Sequence, residues 1–493
     1  MAAILGIDVG TSSAKVMLLE AETGVTAVES EAYEVEIPQI GWAEQDPEVW
    51  FAAVERCLIR LRERHGRAYA QVAGIGLSGQ MHGLVLVDRE GRPVRPAILW
   101  LDQRSTEECR WLEREIPGEV FQETLKNRIF TGFALPSLLW VKRHEPERFS
   151  AAYRVLQPKD YIRYRLTGRF GAEATDASAT LMFDVAGRDW AWEVIERCGF
   201  VRSLFPACRE SGEIAGNVSG PCARRTGLPA SARVIFGMGD QQAQSLGNGV
   251  FREGDFICNI GTGGQVSAFC GSPVCDSALR TQTFCHCVGG GYSVYGAILN
   301  AGLALKWLRD NILGEPDFAR MSELAQEAPA GSEGVIFLPY LAGERTPHMD
   351  PDACGMFYGL RLAHTKAHMA RAVMEGVTFA LRDCMEILKQ MGIAGKRVIS
   401  SGGGASSPVW LQIQADIFDR EICVCDVAEQ ACLGACMLAG VSLGIYGSLE
   451  EAAKKLVSYG RVYRPEADNV KRYNGMYERY GELYRRTVFP KLR

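Results

Sequence analysis

The chain has 493 residues, 47% hydrophobic and 23% charged, with 54 lysines and arginines against 59 acidic residues and a formal charge of -5. A chain of this length outgrows a single core, so two domains of about 250 residues are expected, and the composition excludes a disordered protein. No run of five like charges occurs, which argues against nucleic acid or an anionic membrane as partner. The opening MAAILGIDVG lacks a signal-peptide pattern and no apolar run approaches the ~20 residues of a membrane helix. Sixteen cysteines without C-x-x-C pairs imply reduced thiols, so a cytoplasmic protein is expected.

In chain order, Ile4 to Val9 reads as a strand, Gly10-Thr11-Ser12 as a tight turn, Lys15 to Glu20 and Val25 to Val35 as further strands. Asp46-Pro47 reads as a cap and first helical residue before Val49, Ala53, Cys57 and Leu61 at helical spacing. Val72 to Ser78 is a strand ending in the loop Gly79-Gln80-Met81-His82-Gly83, and Leu84 to Asp88 and Ala97 to Trp100 read as two more. Asp255 to Ile260, a turn over Gly261-Thr262-Gly263-Gly264, and Gln265 to Phe269 then repeat the opening pattern. GIDVGTSSAKVMLL and ICNIGTGGQVSAFC read as an internal duplication. The boundary is placed near Gly247, giving domains 1–246 and 247–493. A helix from His368 to Met391, a strand from Arg397 to Ser401, the loop Gly402-Gly403-Gly404, a helix opening at Ser407-Pro408 and a strand Ile422 to Val424 form an α/β nucleotide-binding pattern. Tyr473, Tyr477, Tyr480 and Tyr484 form a packing stripe, and the pairs Cys285/Cys287 and Cys423/Cys425 read as buried thiols.

Two small-residue turns in corresponding halves offer backbone N–H groups to a phosphate chain, and no G-x-x-x-x-G-K-[ST] motif is present. Asp8 ends an apolar strand, where a carboxylate needs a cation or hydrogen bonds; magnesium beside ATP phosphates would serve. Asp240, after the strand Val234 to Phe236 and Gly237-Met238-Gly239, opens a helix. In isolation its plainer reading is an N-cap.

These residues resemble the FGGY carbohydrate kinases, from the first strand to the last helix. The resemblance rests on Asp8-Val9-Gly10-Thr11, Gln80-Met81-His82-Gly83, Pro96 to Trp100 with Asp102 and Arg104, and Pro158-Lys159-Asp160-Tyr161. It continues through Gly239-Asp240, Gly261-Thr262, Gly343 to His348, Gly355 to Gly359 and Gly402-Gly403-Gly404. It implies an α/β fold of two actin-like ATPase (ribonuclease H-like) domains, mixed sheets flanked by helices, closing on an interdomain cleft. It implies Asp240 as proton acceptor, Asp8 and Asp240 at magnesium, and Met81, His82, Asp240 and Gln241 at the sugar. Thr11, Ser12, Lys15, Gly261, Thr262, Gly403, Gly404 and Ala405 are implied at ATP. The expected substrate is a small ketose, D-xylulose first, with glycerol, ribulose or a longer ketose as alternatives, because Gln241-Gln242 stands where ketose-specific members carry Asn and resembles the glycerol-specific ones. Ser137 and Gly264 are two further departures from the family pattern. The base is expected to be ionised at neutral pH. A homodimer is allowed by this reading; a non-kinase actin-like ATPase and an idle sugar sensor are the remote readings, the sensor opposed by the presence of both carboxylates.

Overall fold

The computed structural model describes residues 2–486. The chain opens as a hairpin of β1 (Ala3–Val9) and β2 (Ser13–Glu20), with β3 (Thr26–Ala32) added antiparallel. Helix α1 (Pro47–Tyr69) starts at Asp46, whose side chain accepts the Glu48 N–H while Pro47 fills the first turn, and it leads to β4 (Val72–Gly79), parallel to β1. The expected third strand is shorter than its apolar pattern, and the strand expected to reach Trp100 ends at Ile98, leaving Trp100 in a turn and 44% exposed. A helical insertion follows, carrying α2 (Pro158–Thr167) and α3 (Ala174–Ser178). The chain then returns to the sheet as β5 (Ile214–Asn217), β6 (Arg233–Ile235) and β7 (Met238–Gly239), and α4 (Asp240–Gly247) leaves it. The first sheet runs β5-β6-β4-β1-β2-β3, with β7 also beside β4.

The second half rebuilds this plan from β8 (Gly254–Ile260), β9 (Gly264–Cys270), β10 (Gln282–Cys285) and β11 (Tyr292–Ile298). After the long helix α5 (Lys366–Gln390) come β12 (Gly395–Ser401), α6 (Pro408–Phe418), β13 (Glu421–Val424), α7 (Gln430–Ser442) and finally α8 (Ala467–Arg486). Its sheet runs β10-β11-β9-β8-β12-β13, so the hairpin-plus-parallel-strand unit occurs twice. The Tyr473 and Tyr480 stripe of α8 is buried against α5 as expected of packing residues. All four paired cysteines are buried thiols, and no helix among the described residues is long and apolar enough to cross a membrane.

Each sheet alternates its strand residues between two cores. Leu5, Ile7 and Val9 pack with Trp50, Val54 and Leu58 of α1, while Ile4, Met17 and Leu19 face Leu433, Cys436 and Met437 of α7. A helix of the second half thus covers the first sheet, and it does so along glycines. A Cβ added at Gly6 would lie 2.1 Å from the Cys432 carbonyl, one at Gly76 2.0 Å from that of Ala435, and one at Gly434 2.0 Å from that of Ala243 on α4. Backbone meets backbone there, which only glycine permits.

Candidate active site

Strand register brings the chemistry together. Asp8 on β1 pairs with Ser78 on β4, and Ser78 in turn pairs with Met238 on β7. Asp8 and Asp240 therefore stand at one edge of the sheet, about two strand spacings apart, each ~4.8 Å. Ser78 Oγ donates to Asp8 Oδ1 at 2.6 Å. Burial raises the Asp8 carboxyl above its ordinary range, opposed by that hydrogen bond and by the Lys15 ammonium. Lys15, directly across the hairpin from Asp8, donates to Glu429 Oε2 at 2.7 Å, a link from the first half to the start of α7.

Asp240 is the first residue of α4, and Gly239 is its N-cap. The capping reading is thereby corrected: the carboxylate opens the helix without capping it. Burial and then the charge of Asp8 push Asp240 up to about 7, against the amides of Gln241, which pull it down. This upward push opposes the expected full ionisation of the carboxyl at neutral pH.

The sugar loop sits beside this carboxylate. A Cβ on Gly239 would lie 2.8 Å from Met81 Cγ, so Met81 packs directly on the residue before Asp240. His82 adopts a left-handed conformation, φ 70°, and its Nδ1–H donates to the Ala179 carbonyl at 2.7 Å, which leaves Nε2 as the acceptor. Burial holds its imidazole down at about 4, hence neutral. Phe133 and Phe284 flank the ring at 4.3 and 5.6 Å between centroids. Phe284 lies on β10, so the surroundings of His82 are not the property of the first half alone. Gln241 is likewise bound to Gln265 of β9, whose amide donates to its carbonyl.

The Thr11 hydroxyl donates to Gln80 Oε1 at 3.1 Å and accepts from Trp100 Nε1 at 3.0 Å, which ties the first turn to the Gln80–Gly83 loop. Ser12 is exposed, and the turn is braced by Tyr33, whose hydroxyl donates to the Gly10 carbonyl at 2.6 Å.

Two adjoining cavities follow. One of about 460 Å³ is lined by Asp8, Lys15, Ser401, Gly402, Ala405 and Glu429. The other, about 490 Å³, is lined by Gly261, Thr262, Leu303, Lys306, Gly403, Gly404 and Trp410. The second has the apolar walls and glycine floor suited to an adenosine, and the first its polar extension toward the carboxylates. Ala405 lines the first cavity and Gly403 and Gly404 the second, and Ser406 lines both. Leu303, Lys306 and Trp410 were not read from the sequence: they carry no motif and reach the cavity only through folding. Among the described residues no cluster of three or more acidic, His or Cys side chains gathers as a metal cage. Asp8 and Asp240 nonetheless suit a hard cation that draws its other ligands from phosphate oxygens and water.

Residues 3–247 match the FGGY family of carbohydrate kinases, N-terminal domain, and residues 257–443 its C-terminal domain. The chain belongs to the FGGY carbohydrate kinases. It is 37% identical to the xylulose kinase of Lactococcus lactis over 99% of this chain and 97% of that protein. It is 31% identical to the gluconokinase of Bacillus subtilis over 95% and 93%. A crystal structure titled as a xyloylose kinase from Brucella ovis superposes with a TM-score of 0.93 at 33% identity, covering 98% of both chains. The FGGY chain is therefore a carbohydrate kinase, an ATP-using transferase acting on a sugar, with the actin-like two-domain fold of that family.

Proposed function

We propose that this FGGY kinase phosphorylates D-xylulose at its terminal hydroxyl, with Asp240 as general base. The observation that carries the reading is the contact of Met81 with Gly239: the sugar loop touches the residue that delivers the carboxylate. Near-full-length similarity to proteins named xylulose kinase supports the choice of ketose.

In this mechanism the neutral His82 offers Nε2 to a sugar hydroxyl while the Phe133 and Phe284 rings exclude water. Asp240 orients the reacting hydroxyl and takes its proton late, as a loose phosphoryl-transfer transition state requires. Backbone N–H groups of the two turns hold the phosphates, and Lys15 offsets charge beside Asp8. A magnesium ion, held by Asp8 and Asp240 when bound with ATP, supplies neutralisation of phosphate charge. Gln241 gives little support to glycerol, because its side-chain carbonyl is occupied by Gln265.

ADP release is to be measured over a panel of D-xylulose, D-ribulose, D-gluconate and glycerol. D-xylulose is expected to give the highest kcat/KM, and a higher value for any other member overturns the substrate. Asp240→Asn is expected to bind ketose and turn over at least ~100-fold more slowly. Near-normal kcat in that variant removes the base.

A further inference from the structure

The segment Phe236–Gly239 that delivers Asp240 is gripped from behind by a buried ionic network to which the mechanism above gives no task. Lys159, Asp160 and Arg163 of α2, together with Glu173, Thr175, Asp176 and Ser211, are all at most 1% exposed. Lys159 Nζ donates to Asp160 Oδ1 at 2.9 Å and lies 3.5 Å from Glu173 Oε2 and 3.3 Å from Asp176 Oδ2. Arg163 binds Asp160 Oδ1 at 2.6 Å.

From this network, bonds run to the base segment at three points. Lys159 and Arg163 both donate to the Phe236 carbonyl, at 3.4 and 3.1 Å. Gly237 N–H donates to the Ser211 carbonyl at 3.0 Å, and Ser211 Oγ donates to Glu173 Oε1 at 2.5 Å. Gly239 N–H donates to Thr175 Oγ1 at 2.8 Å, and the Thr175 hydroxyl donates to Glu173 Oε2 at 2.8 Å. The path Phe236–Lys159–Glu173–Thr175–Gly239 closes on itself, and Asp240 is the next residue out of the ring.

Fold stability alone does not call for such a cluster, because buried ion pairs stabilise little beyond what apolar side chains of the same volume would. What its hydrogen bonds to Phe236, Gly237 and Gly239 do supply is one fixed geometry, although neither oxygen of Asp176 has a hydrogen-bond partner and only the ion pair with Lys159 holds it. The same short helix also reaches the sugar loop, since Ala179, just past α3, accepts the His82 N–H. One element thus references both the base and the sugar contact.

We propose that Thr175, backed by Glu173 and Lys159, is the positioning residue of the general base. The proposal rests on Asp240 being that base. Thr175→Val keeps the shape and deletes both hydroxyl bonds, whereas Thr175→Ser keeps them. Valine is expected to lower kcat at least ~10-fold, the scale of a small misplacement of a reacting group, with KM for ATP unchanged. It is also expected to displace the acid limb of the pH profile of kcat, and serine to restore both rate and profile. Should the valine variant fail to fold, Ser211→Ala, which removes only the bond to Glu173, is expected to show the same displacement with a smaller fall in rate. Normal kcat and pH profile in Thr175→Val, or in Ser211→Ala where valine does not fold, with Asp240→Asn inactive, overturn the positioning role. An active Asp240→Asn instead overturns the base on which it rests.

Discussion

The two hairpins differ most where they look most alike. In the first, β1 carries Asp8 one residue before its end, facing Lys15 across the turn and Ser78 on the parallel strand. In the second, β8 carries Asn259 at the same place, facing Gln265 and Ser401. Asn259 Nδ2 donates to Gln244 Oε1 at 3.1 Å, and a Cβ on Gly402 would lie 2.5 Å from its Oδ1. The strand beside each hairpin also diverges: β4 runs out into the Gln80–Gly83 loop, β12 into the glycine loop Gly402–Gly404. Under the proposed function, the copy with the carboxylate serves the chemistry, and the other, with a neutral amide packed close to backbone, serves the nucleotide. On that reading a single carboxylate-to-amide difference separates the tasks of two duplicated turns.

Making the first hairpin like the second is the strongest way to break this contrast. Asp8→Asn is expected to fold and bind ketose, measured by calorimetry, while kcat falls at least ~100-fold, since charge placed at the phosphates acts chiefly in the transition state. Near-normal turnover removes the special status of the first copy. The second copy is tested at the loop after its parallel strand by Gly403→Val: the nearest atom to an added Cβ is 3.9 Å away, and Gly403 lines the cavity of about 490 Å³ proposed for adenosine. KM for ATP is expected to rise ~10-fold with KM for ketose unchanged, on the scale of a few lost or clashing contacts. An effect on ketose instead removes the assignment of labour.

A pH series sharpens the contrast further. Because Asp240 must lose its proton to act and is held up to about 7, kcat/KM for the sugar should climb as pH passes through that value. The Asp8 charge is one cause of the elevation, so in the residual activity of Asp8→Asn the acid limb should move to lower pH; an unmoved limb shows the carboxylates to be uncoupled. The smallest effect is on stability. A carboxyl whose folded value lies above its unfolded one binds more protons folded, so it favours the folded state at low pH and that contribution is lost as pH rises from about 4 to about 7. Asp240→Asn is therefore expected to raise Tm at pH 8 by about 1–2 °C, which is what ~1–2 kcal/mol gives in a chain of this size, and to leave it unchanged at pH 3. An equal Tm at pH 8 would mean that burial does not strain the carboxylate.

The duplication was legible because each hairpin is local: an apolar strand, two or three small residues and a second strand fix a turn whatever lies around it. Asp8, Asp240, Met81 and His82 were readable for a related reason, since each sits in a short, contiguous pattern. The second-half wall beside His82 and Gln241 was not. Phe284 and Gln265 lie on strands whose outer faces meet the first half only after both sheets form, and Gln265 gains its meaning from Gln241, 24 residues away. The burial of the cluster around Lys159 was not legible for a different reason: Pro158-Lys159-Asp160-Tyr161 stands out in the sequence only as a family motif, and only the fold shows its charges packed under Phe236. The elevation of Asp240 also needed three dimensions, because it comes from what surrounds the carboxyl.

The glycine seam between the first sheet and α7 has a mechanical consequence. Packed helices usually lock by side chains seated between one another, and moving them apart means unseating those side chains. Along Gly6, Gly76 and Gly434 carbonyls rest on bare backbone, and around them Ile4, Met17 and Leu19 are seated against Leu433, Cys436 and Met437. Sliding α7 over the first sheet would unseat that core, so the helix moves with the sheet it covers and any hinge lies outside the seam. A single methyl there would be a wedge: Gly434→Ala is expected to lower Tm, because its Cβ would meet the Ala243 carbonyl. An unchanged Tm would show that the contact relaxes at no cost.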